Sequence, residues 1–223
     1  MSKITIISGT GTGVGKTIVT AALAALAAAD GQRVAVVKPV QTGIDTGEET
    51  DLDAVRRLSG VSDVHELARF PDPLSPEAAA RTAGLPALDM SAAARYIGEL
   101  AAARQRVLVE GAGGLLVRYD PSGHTIADLA RLLDAPVLVV TGAGLGTLNH
   151  TALTLEALAA RGLTCAGVVI GSWPERPELA ERSNLIDLPR LAGRAGITGR
   201  LPAGAGLLDR EEFLAVAQAN LSF

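Results

Sequence analysis

A lysine and a hydroxyl at the end of a glycine-rich run carry the clearest chemistry in the chain. Residues 9–17 read Gly-Thr-Gly-Thr-Gly-Val-Gly-Lys-Thr. Bare glycines let backbone N–H groups converge on phosphate oxygens, and a helix beginning near Lys16 adds the positive end of its dipole. Lys16 has the reach for β- and γ-phosphates, and the Thr17 hydroxyl is placed to bind Mg²⁺. The run is a variant P-loop. The usual spacing wants a glycine where Thr10 stands, and Gly9 lies one residue too early. A plain glycine-rich turn is disfavoured, because Gly-Lys-Thr falls at a strand–helix junction.

More chemistry-bearing residues end the other apolar runs. Lys38 closes Val-Ala-Val-Val-Lys, and with Thr42 it would face the phosphate end of a nucleotide. A lysine held there neutralises charge on a transferring phosphoryl group; a surface lysine before a turn gives the same pattern. Asp51 opens a helix, where a carboxylate reaches a Mg²⁺ region. From the residues alone, an N-cap at Thr50 or Asp51 is the stronger reading. Glu110 ends Val-Leu-Val-Glu. A buried glutamate is costly without a cation or donor, so it reads as a strand-end acid for Mg²⁺. Gly111, Ala112 and Gly113 behind it permit close backbone approach.

Residues 141–149 supply a second helix N-terminus without a lysine, so a carboxylate fits it as well as a phosphate. A turn capped by Thr147 reads equally, and His150 reads as structural. Gly171-Ser172 and Pro202-Ala203-Gly204 end the last two strands on the edge where a nucleotide base would rest.

These positions need a scaffold, and the pattern supplies one. Apolar β-branched runs at 3–8, 34–38, 106–110, 136–141, 165–170 and 197–201 alternate with helical runs. The helices are read at 16–30, 51–58, 77–82, 89–104, 127–133, 147–160, 188–194 and 210–220, with a loop over 61–75. Strands apolar throughout belong in a sheet covered on both faces. The alternation predicts an α/β, doubly wound, mainly parallel sheet of about seven strands with helices on both faces, a P-loop NTPase fold. Ligands then collect at the carboxyl ends of the strands. No linker or repeat divides residues 1–223, read as one domain.

Composition narrows the function. Of 223 residues, 48% are apolar and 3% aromatic, so the core is built from aliphatics. The single cysteine, Cys165, excludes an internal disulfide and a multi-thiolate metal site. A net charge of −4 without a basic block disfavours nucleic acid as a partner. No signal-peptide pattern or membrane-length apolar run is evident. A soluble, cytoplasmic protein is expected, with no membrane partner.

The variant loop, Lys-Pro-Val-Gln-Thr-Gly at 38–43, Val-Glu-Gly-Ala-Gly-Gly at 109–114 and Leu-Gly-Thr-Leu-Asn-His at 145–150 resemble, in that order, the dethiobiotin synthetases of biotin biosynthesis. The resemblance spans nearly the whole chain. It implies a ligase that uses ATP and Mg²⁺ to join CO₂ and 7,8-diaminononanoate into dethiobiotin. The route runs through a carbamate and a carbamic–phosphoric anhydride, in a homodimer with substrate near the interface. It implies that Gly13, Val14, Gly15, Lys16, Thr17 and Ile18 cradle the phosphates, and that Thr17, Asp51 and Glu110 hold the metal. Lys38 is implied as the catalytic lysine, and Gly111, Ala112 and Gly113 as cleft lining. Thr42 is implied as a substrate-contacting hydroxyl. Leu145, Gly146, Thr147 and Asn149 are implied to receive the substrate carboxylate, from the other subunit.

Two departures stand out. The family often has acids where this chain has Gly11 and Gly13, and often has Asn-Asp, which reads adenine, where this chain has Gly171-Ser172. Base reading is then left to backbone groups, Ser172 or residues 202–204, and relaxed specificity extending to CTP or GTP is expected. The alternative function is a P-loop ATPase switch or partitioning-type regulatory protein acting through a protein partner. Those proteins commonly carry a lysine near the loop start, where Ser8, Gly9 and Thr10 stand here.

Overall fold

A computed structural model of the chain describes residues 3–44 and 47–222. Strand β1 (Ile4–Gly9) runs into the glycine loop and then α1 (Lys16–Ala29). Ala21, Ala22 and Ala24 of α1 are fully buried, and their small side chains let the helix lie close on the sheet. Then come β2 (Val34–Lys38), the short β3 (Gln41–Thr42) and α2 (Asp51–Ser59). Helix α2 starts with a capping box between Thr50 and Asp53 and stops at Gly60, whose φ of 72° suits glycine.

The rest of the chain continues the alternation. It comprises β4 (Val64–Glu66), β5 (Arg69–Phe70), α3 (Pro76–Ala83), α4 (Met90–Ala103), β6 (Arg106–Gly114), α5 (Ile126–Leu132) and β7 (Val137–Thr141). After these come α6 (Thr147–Ala160), β8 (Cys165–Trp173), α7 (Leu179–Ala192), β9 (Ile197–Pro202) and α8 (Arg210–Asn220).

Seven strands form one sheet in the order β4-β2-β6-β1-β7-β8-β9, and every pairing is parallel. On one face, residues of α1, α2 and α8 such as Val19, Val55 and Phe213 pack on Ile7, Val36, Leu108 and Val140. On the other, Ile97, Ile126, Leu129 and Leu158 pack on Ile6, Val37, Val109 and Val139. The sheet is therefore covered on both sides, as its uniformly apolar strands require. Among the described residues, no helix is long and apolar enough to cross a membrane.

Three boundaries differ from the sequence reading. Residues 61–75 are not wholly loop: β4 pairs with β2 at the sheet edge, and β5 pairs with β3 outside it. At three and two residues these strands are too short to show a period, and tertiary pairing alone makes them. The helix expected over 188–194 begins within the C-terminal part of α7, which starts at Leu179 after a capping box of Glu178 and Glu181 and ends at Ala192. Pro189 lies inside it, whereas proline near a helix start is the commoner pattern. Finally, β6 and β8 run on to Gly114 and Trp173, through glycines that read as turns.

Candidate active site

The carboxyl ends of β1, β2 and β6, adjacent in the sheet, bring the predicted residues together. Lys38 Nζ lies 2.5 Å from Asp51 Oδ2 and 2.7 Å from Glu110 Oε1. The Lys38 and Glu110 side chains are only 4% and 1% exposed, against 31% for Asp51. Lys38 is thus not the surface lysine that its position before Pro39 also allowed. Thr50, not Asp51, caps α2, accepting from Asp53 N at 3.1 Å. Asp51 is left free to face the lysine. Gln41, which the sequence did not single out, accepts weakly from Asp51 N with its Oε1, at 3.4 Å.

Burial alone would push the Lys38 ammonium down, but Glu110 and Asp51 outweigh it and raise its pKa above the ordinary lysine value. Burial likewise opposes the charge on Asp51, and Lys38 and the Thr17 hydroxyl overcome it, so Asp51 is held below the usual carboxylate range. Burial, reinforced by the nearby Lys38, pushes Lys16 below the ordinary lysine value.

Thr17 Oγ1 lies 3.0 Å from both Asp51 Oδ1 and Glu110 Oε1. One hydroxyl has one proton, so it satisfies one carboxylate at a time. Glu110 Oε2 is buried without a hydrogen-bond partner. This acceptor-rich corner fits a hard divalent cation, which takes oxygen ligands and needs few from protein when phosphates and water supply the others. Among the described residues there is no cluster of three or more His, Cys, Asp or Glu suited to a metal.

The loop itself is shaped for an anion. Gly15, the N-cap of α1, has φ 94° and makes no side-chain cap, which leaves the first N–H groups of the helix without one. Gly13 has φ 73°. Lys16 Nζ folds back to donate to Gly11 O at 2.9 Å, which leaves further N–H donors of the ammonium for a phosphate. Ile18 lies half-buried in the first turn of α1, and Gly206 of the loop after β9 approaches its side chain.

Behind Glu110, Gly111 is buried and Ala112 N–H donates to the Tyr119 hydroxyl at 2.7 Å. Tyr119 is fully buried, and burial pushes its phenol up to about 12. It clamps the small-residue segment 111–113, a role that no spacing in the sequence signals. Thr42 sits half-buried on β3 beside Gln41.

The second anion-type turn precedes α6. Its N-cap is Gly146, with φ 92°. Thr147 does not cap the helix, because its hydroxyl donates to Gly142 O at 2.7 Å. With that proton used, Thr147 accepts from Thr141 Oγ1 at 2.7 Å, and Thr141 accepts from Thr151 at 2.8 Å. The turn is fixed from the far side by Asn184, whose Nδ2 donates to Ala143 O and Gly144 O at 2.8 and 2.9 Å. Leu145 is 94% exposed, and Asn149 is also exposed. Leu145, Gly146 and Asn149 thus stand at the surface, whereas Thr147 is buried.

On the other flank, β8 and β9 carry the candidate base-side residues. Ala203 N donates to Trp173 O at 2.7 Å, which ties residues 202–204 to the end of β8. The Arg200 guanidinium lies 4.8 Å from the Trp173 ring centroid, a cation–π contact at the end of β8. Ser172 is exposed and Gly171 buried.

Comparisons with known proteins agree with this architecture. Residues 3–205 match a family described as an AAA domain. A protein of Frankia casuarinae described as ATP-dependent dethiobiotin synthetase BioD is 66% identical over 97% of this chain and 90% of its own. One of Mycobacterium avium with the same description is 54% identical over 96% of this chain and 93% of its own. A solved structure of the septum site-determining protein MinD of Pyrococcus horikoshii, complexed with Mg-ADP, aligns with a TM-score of 0.57 at 21% identity. It covers 95% of this chain and 84% of that one, and the likeness is one of fold.

Proposed function

The chain belongs to the ATP-dependent dethiobiotin synthetases, and from that premise we propose how its own residues serve the reaction. The activity is ATP-dependent closure of the ureido ring of dethiobiotin from 7,8-diaminononanoate and CO₂. One amine adds CO₂ and loses a proton to give a carbamate. A carbamate oxygen takes the γ-phosphoryl group, and ADP leaves. The second amine attacks the carbamoyl carbon, phosphate departs with its oxygen, and loss of a proton leaves the cyclic urea.

The observation that carries the assignment of roles is the buried Lys38–Glu110–Asp51–Thr17 cluster at the mouth of the glycine loop. Lys38, held protonated by its two carboxylates, is a fixed positive charge rather than a base. It faces the carbamate and the phosphoryl group in transfer, where a charge aimed at developing negative charge lowers the barrier. Residues 13–18 cradle the phosphates, with Lys16 donating to them. Thr17, Asp51 and Glu110 are the residues that would hold Mg²⁺, which neutralises phosphate charge when bound. Gly111, Ala112 and Gly113 line the cleft, held by Tyr119. Thr42 contacts the diamine, and Leu145, Gly146, Thr147 and Asn149 receive its carboxylate across a homodimer interface. The exposure of Leu145 supports that placement. Gly171, Ser172 and residues 202–204 flank the base, with no side-chain amide to select adenine over cytosine or guanine. Residues 1–223 act as one P-loop NTPase-like domain in the cytoplasm.

The test is phosphate release from MgATP with and without 7,8-diaminononanoate and bicarbonate, with product identified by mass and CTP and GTP run in parallel. Release that needs both additions and yields the cyclic urea is the expected result. Release indifferent to the diamine would refute the assignment and favour a switch ATPase. ATP preferred by several orders of magnitude in kcat/KM would refute the relaxed base reading.

A further inference from the structure

Gly171 is a glycine for lack of space rather than for its backbone angles. Its φ is not in the left-handed region, yet a methyl group built on it would overlap the Val14 carbonyl oxygen. The same methyl would lie 2.7 Å from Val140 Cγ1 and 3.1 Å from Gly15 Cα. From the opposite side, a methyl on Gly15 would lie 2.6 Å from Gly171 O. The last turn of the glycine loop therefore rests backbone-to-backbone on the end of β8. Thr141 of β7 pairs with Ile170, so Gly171 lies just past the paired part of β7. The β8–β9 register slips between Ile170 and Trp173. The end of β8 is thus released from regular pairing where it meets the loop.

We propose that Gly171 is a positioning residue for the phosphate cradle, and that the loop resting on it is what bars a base-reading side chain from this position. The inference deepens the reading of residues 13–18 as that cradle and rests on it. Any side chain at 171 must displace Val14 and Gly15, whose backbone cannot yield as a flexible side chain does, and with them the N–H groups at the start of α1. The consequence is independent of the base. Gly171→Asn then restores no preference for ATP; it costs phosphate affinity instead.

The probe is inorganic triphosphate, which has no base, titrated beside ATP, CTP and GTP against wild type and Gly171→Ala. Gly171→Ala is expected to weaken all four by a common factor, on the order of tenfold to a hundredfold, the scale of a small misplacement of binding groups. Unchanged binding of inorganic triphosphate, or a loss that depends on the base, overturns the proposal. A wild type that binds none of the four overturns the cradle reading itself. Repeating the substitution in a Val140→Ala background removes the Cγ1 contact and keeps the Val14 carbonyl. The loss relative to Val140→Ala should persist; recovery there would place the clash in the sheet core and overturn the proposal. If Gly171→Ala does not fold, hydrogen exchange on wild type decides. Inorganic triphosphate should slow exchange at residues 171–173 together with 13–17, and protection confined to the loop overturns the inference.

Discussion

Replacing Lys38 by Met removes a cation lying 2.5 Å from Asp51 Oδ2 and 2.7 Å from Glu110 Oε1, and it leaves a carboxylate 1% exposed beside an apolar tail. Breaking a buried pair on one side costs about 3–5 kcal/mol, because the surviving charge keeps its desolvation without its partner. Urea unfolding at pH 7 should show a loss of that size for Lys38→Met. Adding Glu110→Gln takes away the stranded charge and should recover much of it, a coupling that a double-mutant cycle reads directly. Turnover should respond differently. A donor aimed at developing charge is worth about 10²–10³ in kcat, so Lys38→Met should lose at least that much, and the second substitution should not restore it. Nucleotide affinity should change little. Lys16→Ala, by contrast, should weaken nucleotide binding and turnover together. A stability loss under about 1 kcal/mol would mean that water screens the pair as it does on a surface. A parallel fall in kcat and nucleotide affinity for Lys38→Met would reassign Lys38 to simple phosphate binding.

Tyr119→Phe removes the acceptor of the half-buried Ala112 N–H, an expected cost of about 0.5–1.5 kcal/mol in denaturant titration, and a change within error would show the bond to be dispensable. Thr141→Val breaks the hydroxyl chain to Thr147 and Thr151 and should cost about 1–3 kcal/mol, while Thr141→Ser keeps most of it; equal losses would deny the hydroxyl its role. At the sheet edge, burial opposes the charge on Asp63, but bonds to Arg104 and His65 hold its pKa below the ordinary value. Its contribution to stability is therefore present above the unfolded carboxylate pKa and lost as pH falls through the folded one. Asp63→Asn should flatten the acid limb of the stability–pH curve below about pH 4, and an unchanged limb would count against the ion pair.

The glycine loop, the strand-end lysine and glutamate and the βα alternation are legible in the sequence because each is a local pattern. Lys16 and Thr17 follow a glycine run by spacing alone, and Glu110 stands out as a charge closing an apolar strand. The rest depended on segments meeting in space. Asp51 and Thr50 are equal as caps on paper; the Thr50–Asp53 box decides between them and turns Asp51 toward Lys38. β4 and β5 exist only because β2 and β3 offer edges to pair with. Tyr119 and Asn184 lie outside the motifs and act through hydrogen bonds to backbone within them, one from Ala112 N–H and two to Ala143 O and Gly144 O, which no period records. Gly171 reads in sequence as a missing base reader. The tertiary structure shows a position with no room for a Cβ, because the Val14 carbonyl, more than a hundred residues away in the chain, already occupies that space.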